Sequence, residues 1–179
     1  ATGLGGANVT YPAATATDIV DPAPVISCLP ASGTLFPLGI NTVTCTATDF
    51  SGNVGTATFT ITVVDTTDPT LLLPANMTVE ATGAAGTPVP FTASATDIVD
   101  PAPVVACTPA SGSTFPLGTT TVNCTATDFS GNSTAGSFTI TVVDTTAPII
   151  TLVGPATLTI PYASTYTDAG ATAFDIVDG

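Results

Sequence analysis

Cys28 to Asn53 reads CLPASGTLFPLGINTVTCTATDFSGN, and Cys107 to Asn132 reads CTPASGSTFPLGTTTVNCTATDFSGN. Cys28 and Cys107, Cys45 and Cys124, Asp49 and Asp128, and Asp65 and Asp144 are each 79 positions apart, so one unit has been copied in tandem. Inside the stretch, Thr42 to Asp49 alternates: Val43, Cys45 and Ala47 fall on one side, and Thr42, Thr44, Thr46 and Thr48 on the other. That period of two predicts a strand with one buried face, and β-branched, water-compatible threonine suits the outer one.

Thr56 to Val63 predicts a second strand, with Ala57, Phe59, Ile61 and Val63 facing the core, and Ser137 to Val142 repeats it with Phe138, Ile140 and Val142. Asp49-Phe50-Ser51-Gly52-Asn53 joins the two strands of the first copy. Its Asp, Ser, Gly and Asn supply local hydrogen bonds and positive φ, the chemistry of a hairpin. Val25 to Cys28 predicts a short strand, Gly33 to Gly39 carries two turn signals around Phe36-Pro37, and no helical period of any length occurs. Short strands, regular turns and frequent Gly and Pro predict an antiparallel β-sandwich.

Pro69 and Pro148 follow Val-Val-Asp-Thr-Thr in both copies and mark where one sheet ends and the next begins. The predicted domains are 1–67, without a first strand, 68–146, opened by Leu71 to Glu80, and 147–179, a partial third unit or donor segment. In that third unit Ile149 to Pro161 reads as an opening strand, while Tyr166 to Asp175 has no counterpart at the equivalent place. The chain opens in mid-unit at Ala1 with no signal peptide, as expected of a processed or partial product.

The 179 residues contain no Lys, Arg or His against thirteen acids, twelve Asp and Glu80, for a net charge of −13. Phosphate backbones and anionic membrane surfaces are recognised by basic side chains, so nucleic acid and membrane-surface binding are excluded. No apolar run is long enough to insert in a bilayer. Four cysteines, two per unit at one spacing, fit one disulfide in each and an oxidising, extracellular setting, the alternative being paired buried thiols. Without His or CxxC there is no zinc site.

The motifs Cys-x-Pro-x-Ser-Gly-x-x-Phe-Pro-x-Gly, Val-x-Cys-x-Ala-x-Asp-x-x-Gly-Asn and Phe-Thr-Ile-Thr-Val-x-Asp resemble those of hyalin repeat (HYR) domains, over Asp18 to Asp65 and Pro69 to Asp144. The resemblance implies immunoglobulin-like sandwiches, here tandem and in an elongated array. It also implies disulfides Cys28–Cys45 and Cys107–Cys124, a role in adhesion or extracellular scaffolding, and no catalytic activity. Tyr-x-Asp-x-Gly-Ala-x-Ala-x-Asp, from Tyr166 to Asp175, resembles a different bacterial immunoglobulin-like surface domain. The family's usual sequences carry basic residues, so any cation-mediated ligand binding does not transfer to this chain.

In an immunoglobulin-like fold, Asp97, Asp100 and Asp128 lie in loops at the pole where the chain enters the second domain, and the incoming linker brings Asp65 and Asp68. Like charges 6 Å apart repel by about 0.7 kcal/mol even at the dielectric of water, and no side-chain cation offsets this. Ca²⁺, which takes six to eight oxygens in flexible geometry, is the expected counter-ion, with carbonyls of Thr66 and Thr67 completing the site. The alternative is that these Asp are turn residues and no ion binds. Asp18, Asp21 and Asp49 form the matching, weaker pole of the first domain, and Asp144, Asp175 and Asp178 that of the third.

Catalysis is argued against by elimination: no Ser or Cys nucleophile has a His or Lys base, and the acids repeat with the fold as structural residues would. Asn8, Asn76, Asn123 and Asn132 each sit in Asn-x-Ser/Thr, with Asn132, in a turn, the favoured glycosylation acceptor. The expected role is a non-enzymatic segment of a fibre, stalk or surface layer, stiffened by disulfides and linker Ca²⁺. Its expected partner is itself, head-to-tail or laterally, with Ile149 to Ile160 of one copy filling the missing first strand of the next. The alternatives are a window of a longer repeat protein and an adhesion or spacer module of a larger secreted one.

Overall fold

A computed structural model describes residues 1–179. It contains only strands: β1 (Ala7–Val9), β2 (Val25–Leu29), β3 (Thr34–Phe36), β4 (Gly39–Thr48), β5 (Val54–Val63), β6 (Thr70–Leu72), β7 (Met77–Glu80), β8 (Thr87–Pro88), β9 (Ser94–Thr96), β10 (Val104–Thr108), β11 (Thr114–Phe115), β12 (Gly118–Thr127), β13 (Ser133–Val143), β14 (Ile149–Leu152) and β15 (Ala171–Phe174). The all-β class expected from the alternation is the class observed, consistent with the immunoglobulin-like sandwiches that the resemblance implies.

Two compact units are formed, the first from residues 1–71, 95–105 and 126–134, the second from 72–94, 106–125 and 135–179. In the first, β2, β4 and β5 make one sheet, and β1 pairs antiparallel with β3 in another. The β4–β5 hairpin runs in unbroken register from Gly39↔Val63 to Thr48↔Val54, closed at Asp49–Asn53 where Gly52 has φ 87°. Phe36, Val43, Cys45 and Val63 form the core, with Val9, Tyr11, Leu38 and Ile61 packed against them. Cys28 lies opposite Cys45 in the β2–β4 ladder and the two are disulfide-bonded.

The four-stranded sheet of the second repeat has the order β10, β12, β13, β7, and β7 lies parallel to β13, with Met77 opposite Ile140 and Glu80 opposite Val143. Cys107 and Cys124 are bonded as their counterparts are. β8 pairs with β11, and close approach there explains Gly86: at φ 98°, a Cβ would stand 1.8 Å from the Phe115 carbonyl oxygen. Phe115, in β11, is fully buried.

The two copies differ in how well the last strand is covered. Phe138, Ile140 and Val142 of β13 are buried as the alternation predicts, whereas Phe59 of β5 is 39 % exposed. The cause is the neighbour: β13 lies between β12 and β7, while β5 has only β4 beside it. The predicted opening strand Leu71 to Glu80 is two strands, β6 and β7, interrupted around Pro74, as expected where a proline removes a ladder donor. Of Ile149 to Pro161 only β14 is a strand, paired antiparallel with β15.

Candidate metal centre

Asp-Ile-Val-Asp occurs at Asp18, at Asp97 and at Asp175, and each first aspartate folds its own loop. Oδ1 of Asp97 accepts from the amides of Val99 (2.7 Å) and Asp100 (2.8 Å), and Oδ1 of Asp18 accepts likewise from Val20 and Asp21. This is the side-chain mimic of a turn that makes Asp frequent in loops. It occupies one carboxylate oxygen and leaves Oδ2 for another partner.

The second aspartate of the motif has a different task. Asp100 is 6 % exposed; its Oδ1 accepts from the Ala102 amide (2.9 Å) and its Oδ2 from the Phe129 amide (2.9 Å), tying the loop to the β12–β13 turn. Asp21 does the same with Ala23 and Phe50. Both oxygens of each are therefore committed to backbone.

Asp128 opens the β12–β13 turn, where Oδ1 accepts from the Asn132 amide (2.8 Å) and Oδ2 from Asn132 Nδ2 (2.7 Å). Asn132 Nδ2 also reaches the Asp65 carbonyl (3.4 Å), and Thr134 Oγ1 donates to the Pro69 carbonyl (2.5 Å). These bonds seat the linker, and Pro69 is fully buried. Asp65 is 8 % exposed, and its Oδ1 accepts from the Thr67 amide at 3.1 Å.

Carboxylate oxygens of Asp65, Asp97 and Asp128 all lie within 4.8 Å of one another. Oδ2 of Asp65 and Oδ2 of Asp97 are buried with no hydrogen-bond partner. Buried polar atoms nearly always have partners, and in a chain without a basic side chain no side-chain cation is available to pair with these. A Ca²⁺ ion with oxygens at 2.3–2.6 Å spans at most roughly 4.6–5.2 Å between opposite ligands, so these oxygens fit around one such ion.

Of the five acids expected at this pole, three converge: Asp100 is turned to backbone amides and Asp68 is exposed. Asp18, Asp21 and Asp49 do not form such a cluster. Asp18 is exposed, and it lines with Asp49, Pro24 and Asn53 an open groove of about 250 Å³. Asp144, Asp175 and Asp178 do converge, again within 4.8 Å. Among the glycosylation candidates, Asn8 and Asn123 are exposed on strands, and exposed Asn76 accepts at Oδ1 from the Thr139 amide. The Asn132 amide is already engaged by Asp128 and Asp65, a use that its turn sequence does not reveal.

Hydrogen bonding also sets the acidities. Asp49 is held below its ordinary value of 3.8 by the Asn53 side chain and then its amide. For Asp128 burial is the largest single influence and pushes the value up, but bonds from Asn132, Gly131 and Ser130 together outweigh it and the net shift is down. Glu80 lies below 4.5 because the Thr145 amide and hydroxyl, then Thr146, bind its carboxylate. Groups depressed in the folded state stabilise it above their unfolded pKa and lose that contribution as pH falls through the folded value. The melting-temperature gap in chelator between the wild type and Asn53→Ala, which removes the side-chain bond to Asp49, is therefore expected to hold from pH 7 to about 5 and to close below about pH 4. A gap that widened on acidification through that range would contradict this bond.

Residues 1–63 and 64–142 each match the HYR domain family. The chain is 42 % identical over 164 residues to hyalin of Lytechinus variegatus, covering 88 % of this chain and 31 % of that protein. It is 38 % identical over 179 residues to hyalin of Strongylocentrotus purpuratus, covering 94 % of this chain and 15 % of that protein. The chain thus spans less than a third of either relative. The second match begins one residue before Asp65, so Asp65, Asp97 and Asp128 all belong to one repeat.

Proposed function

The chain belongs to the HYR domain family, and from that premise we propose that it is a non-enzymatic extracellular structural module, a segment of a fibre, stalk or surface layer. In it, Ca²⁺ held by Asp65, Asp97 and Asp128 fixes the linker where the chain enters its second repeat. The observation that carries this is a buried, partnerless oxygen on each of Asp65 and Asp97, two residues whose carboxylates converge with that of Asp128 to within 4.8 Å. When bound, the ion supplies charge neutralisation and links three segments that are far apart in sequence. Asp97 holds its loop, Asn132 orients both Asp128 and the Asp65 carbonyl, and Thr134 holds Pro69.

The extracellular assignment draws support from one cross-strand disulfide per repeat. Millimolar extracellular Ca²⁺ also suits a site with few charged ligands. Self-association is part of the proposal: the free edge of β5 can accept an extended segment, from a neighbouring copy or from chain continuous with Ala1, as β13 accepts β7. An adhesion or spacer role is the second reading. It is favoured by an open, mostly apolar groove of about 330 Å³ lined by Tyr11, Pro12, Ala14 and Phe59, where Tyr11 and Phe59 meet edge-on at 5.1 Å.

Small-angle X-ray scattering of the 179-residue chain tests the linker role. Addition of Ca²⁺ should narrow the distribution of end-to-end distances, and chelator should broaden it again. Scattering indifferent to both would remove calcium from the scheme while leaving the family and the disulfides in place.

A further inference from the structure

The third stretch of the chain departs from the repeat between Tyr166 and Phe174, yet it rebuilds the same coordination parts. Asp144 stands 79 positions after Asp65, and its Oδ1 accepts from the Thr146 amide at 3.1 Å, as Asp65 accepts from Thr67 at 3.1 Å. Asp175 stands 78 positions after Asp97, and its Oδ1 accepts from the amides of Val177 (2.7 Å) and Asp178 (3.1 Å). Asp175 is 6 % exposed, and its Oδ2 is buried without a partner.

We propose that Asp144, Asp175 and Asp178 form a second site for a hard divalent cation of calcium size, assembled from the Val-Val-Asp-Thr-Thr linker and the Asp-Ile-Val-Asp loop. The proposal rests on the calcium role assigned above to Asp65, Asp97 and Asp128. Oxygens of the three acids lie within 4.8 Å of one another, and all three belong to the second compact unit. Asp144 is held in place through its neighbours. Glu80 Oε1 accepts from the Thr145 amide (2.7 Å) and the Thr146 hydroxyl (3.0 Å), and Oε2 accepts from the Thr145 hydroxyl (2.9 Å). Glu80 is thus a positioning residue for a site it does not enter.

The two sites differ in the third ligand. Asp128 is buried in a hydrogen-bonded turn, whereas Asp178 is exposed and takes the motif position whose counterpart, Asp100, is committed to amides. A less rigid ligand set binds calcium more weakly, so two affinities separated by about tenfold are expected. The motif pair carries the site.

Native mass spectrometry and isothermal titration of the full chain with Ca²⁺ alone test this, using Asp97→Asn, Asp144→Asn and Asp175→Asn. Asparagine keeps the Oδ1 acceptor that holds each turn, and Asp144→Asn provides a second test should Asp175→Asn fold poorly. The wild type should bind two equivalents; Asp144→Asn and Asp175→Asn should each lose the weaker one and keep the tighter. One equivalent in the wild type that Asp97→Asn removes would overturn the second site and leave the first. One that Asp175→Asn removes would support the second site and count against the first, and no binding at all would overturn both.

Discussion

Replacing Cys107 and Cys124 together by alanine is expected to cost the second repeat about 3 kcal/mol, the chain-entropy value for a loop of this size. The bond joins residues 17 apart, and Cys124 is 1 % exposed in the β10–β12–β13 face. A repeat of about this length buries little core, so the loss is a large share of its stability. It corresponds to a fall in melting temperature of roughly 12–24 °C, with the denaturant midpoint falling at nearly constant slope. The first repeat should respond earlier to reductant, because Cys45 is 9 % exposed and borders the open groove beside Tyr11 and Phe59. Melting unchanged by reductant would show that the sheet packing alone holds the repeats.

Saturating Ca²⁺ is expected to stabilise the chain by about 2.7 kcal/mol at a free concentration one hundred times the dissociation constant of the Asp65, Asp97 and Asp128 site. Asp97→Asn should remove that gain. In chelator the same variant should be as stable as the wild type or more so, because Asn keeps the bonds from Val99 and Asp100 while one of three facing charges disappears. This reversal separates a cation ligand from a turn residue. A turn residue would destabilise equally with and without calcium, as expected for Asp100→Asn, whose Oδ2 holds the Phe129 amide.

The repeat made most of the architecture legible. Thr42 to Thr48 and its copy alternate so regularly that strand, face and hairpin partner followed from a period of two, and the cysteines fell on neighbouring strands. Burial of Phe59 was not legible, because it depends on whether a strand such as β7 lies beside β5, and no local pattern encodes that. An immunoglobulin-like fold gathers five acids at one pole but does not by itself distinguish Asp97 from Asp100, which share one motif. Their difference arises from the sharp turn: amides of Val99 and Asp100 fold back on Asp97, while Asp100 points to Phe129, 29 positions away. In the third stretch Asp144, Asp175 and Asp178 were legible as a pole, while the altered residues before Asp175 left the closing of its loop, which matches that of Asp97, to the structure.

Hydrogen exchange across Asp65 to Thr70, in Ca²⁺ and in chelator, tests most directly whether a cation holds the linker to the pole. Thr67 donates only to Asp65 Oδ1 at 3.1 Å, so its amide reports whether that side chain is pinned. Calcium should slow exchange at Thr66 and Thr67 at least tenfold in the wild type and leave it unchanged in Asp97→Asn. Equal exchange with and without calcium in the wild type would contradict the account.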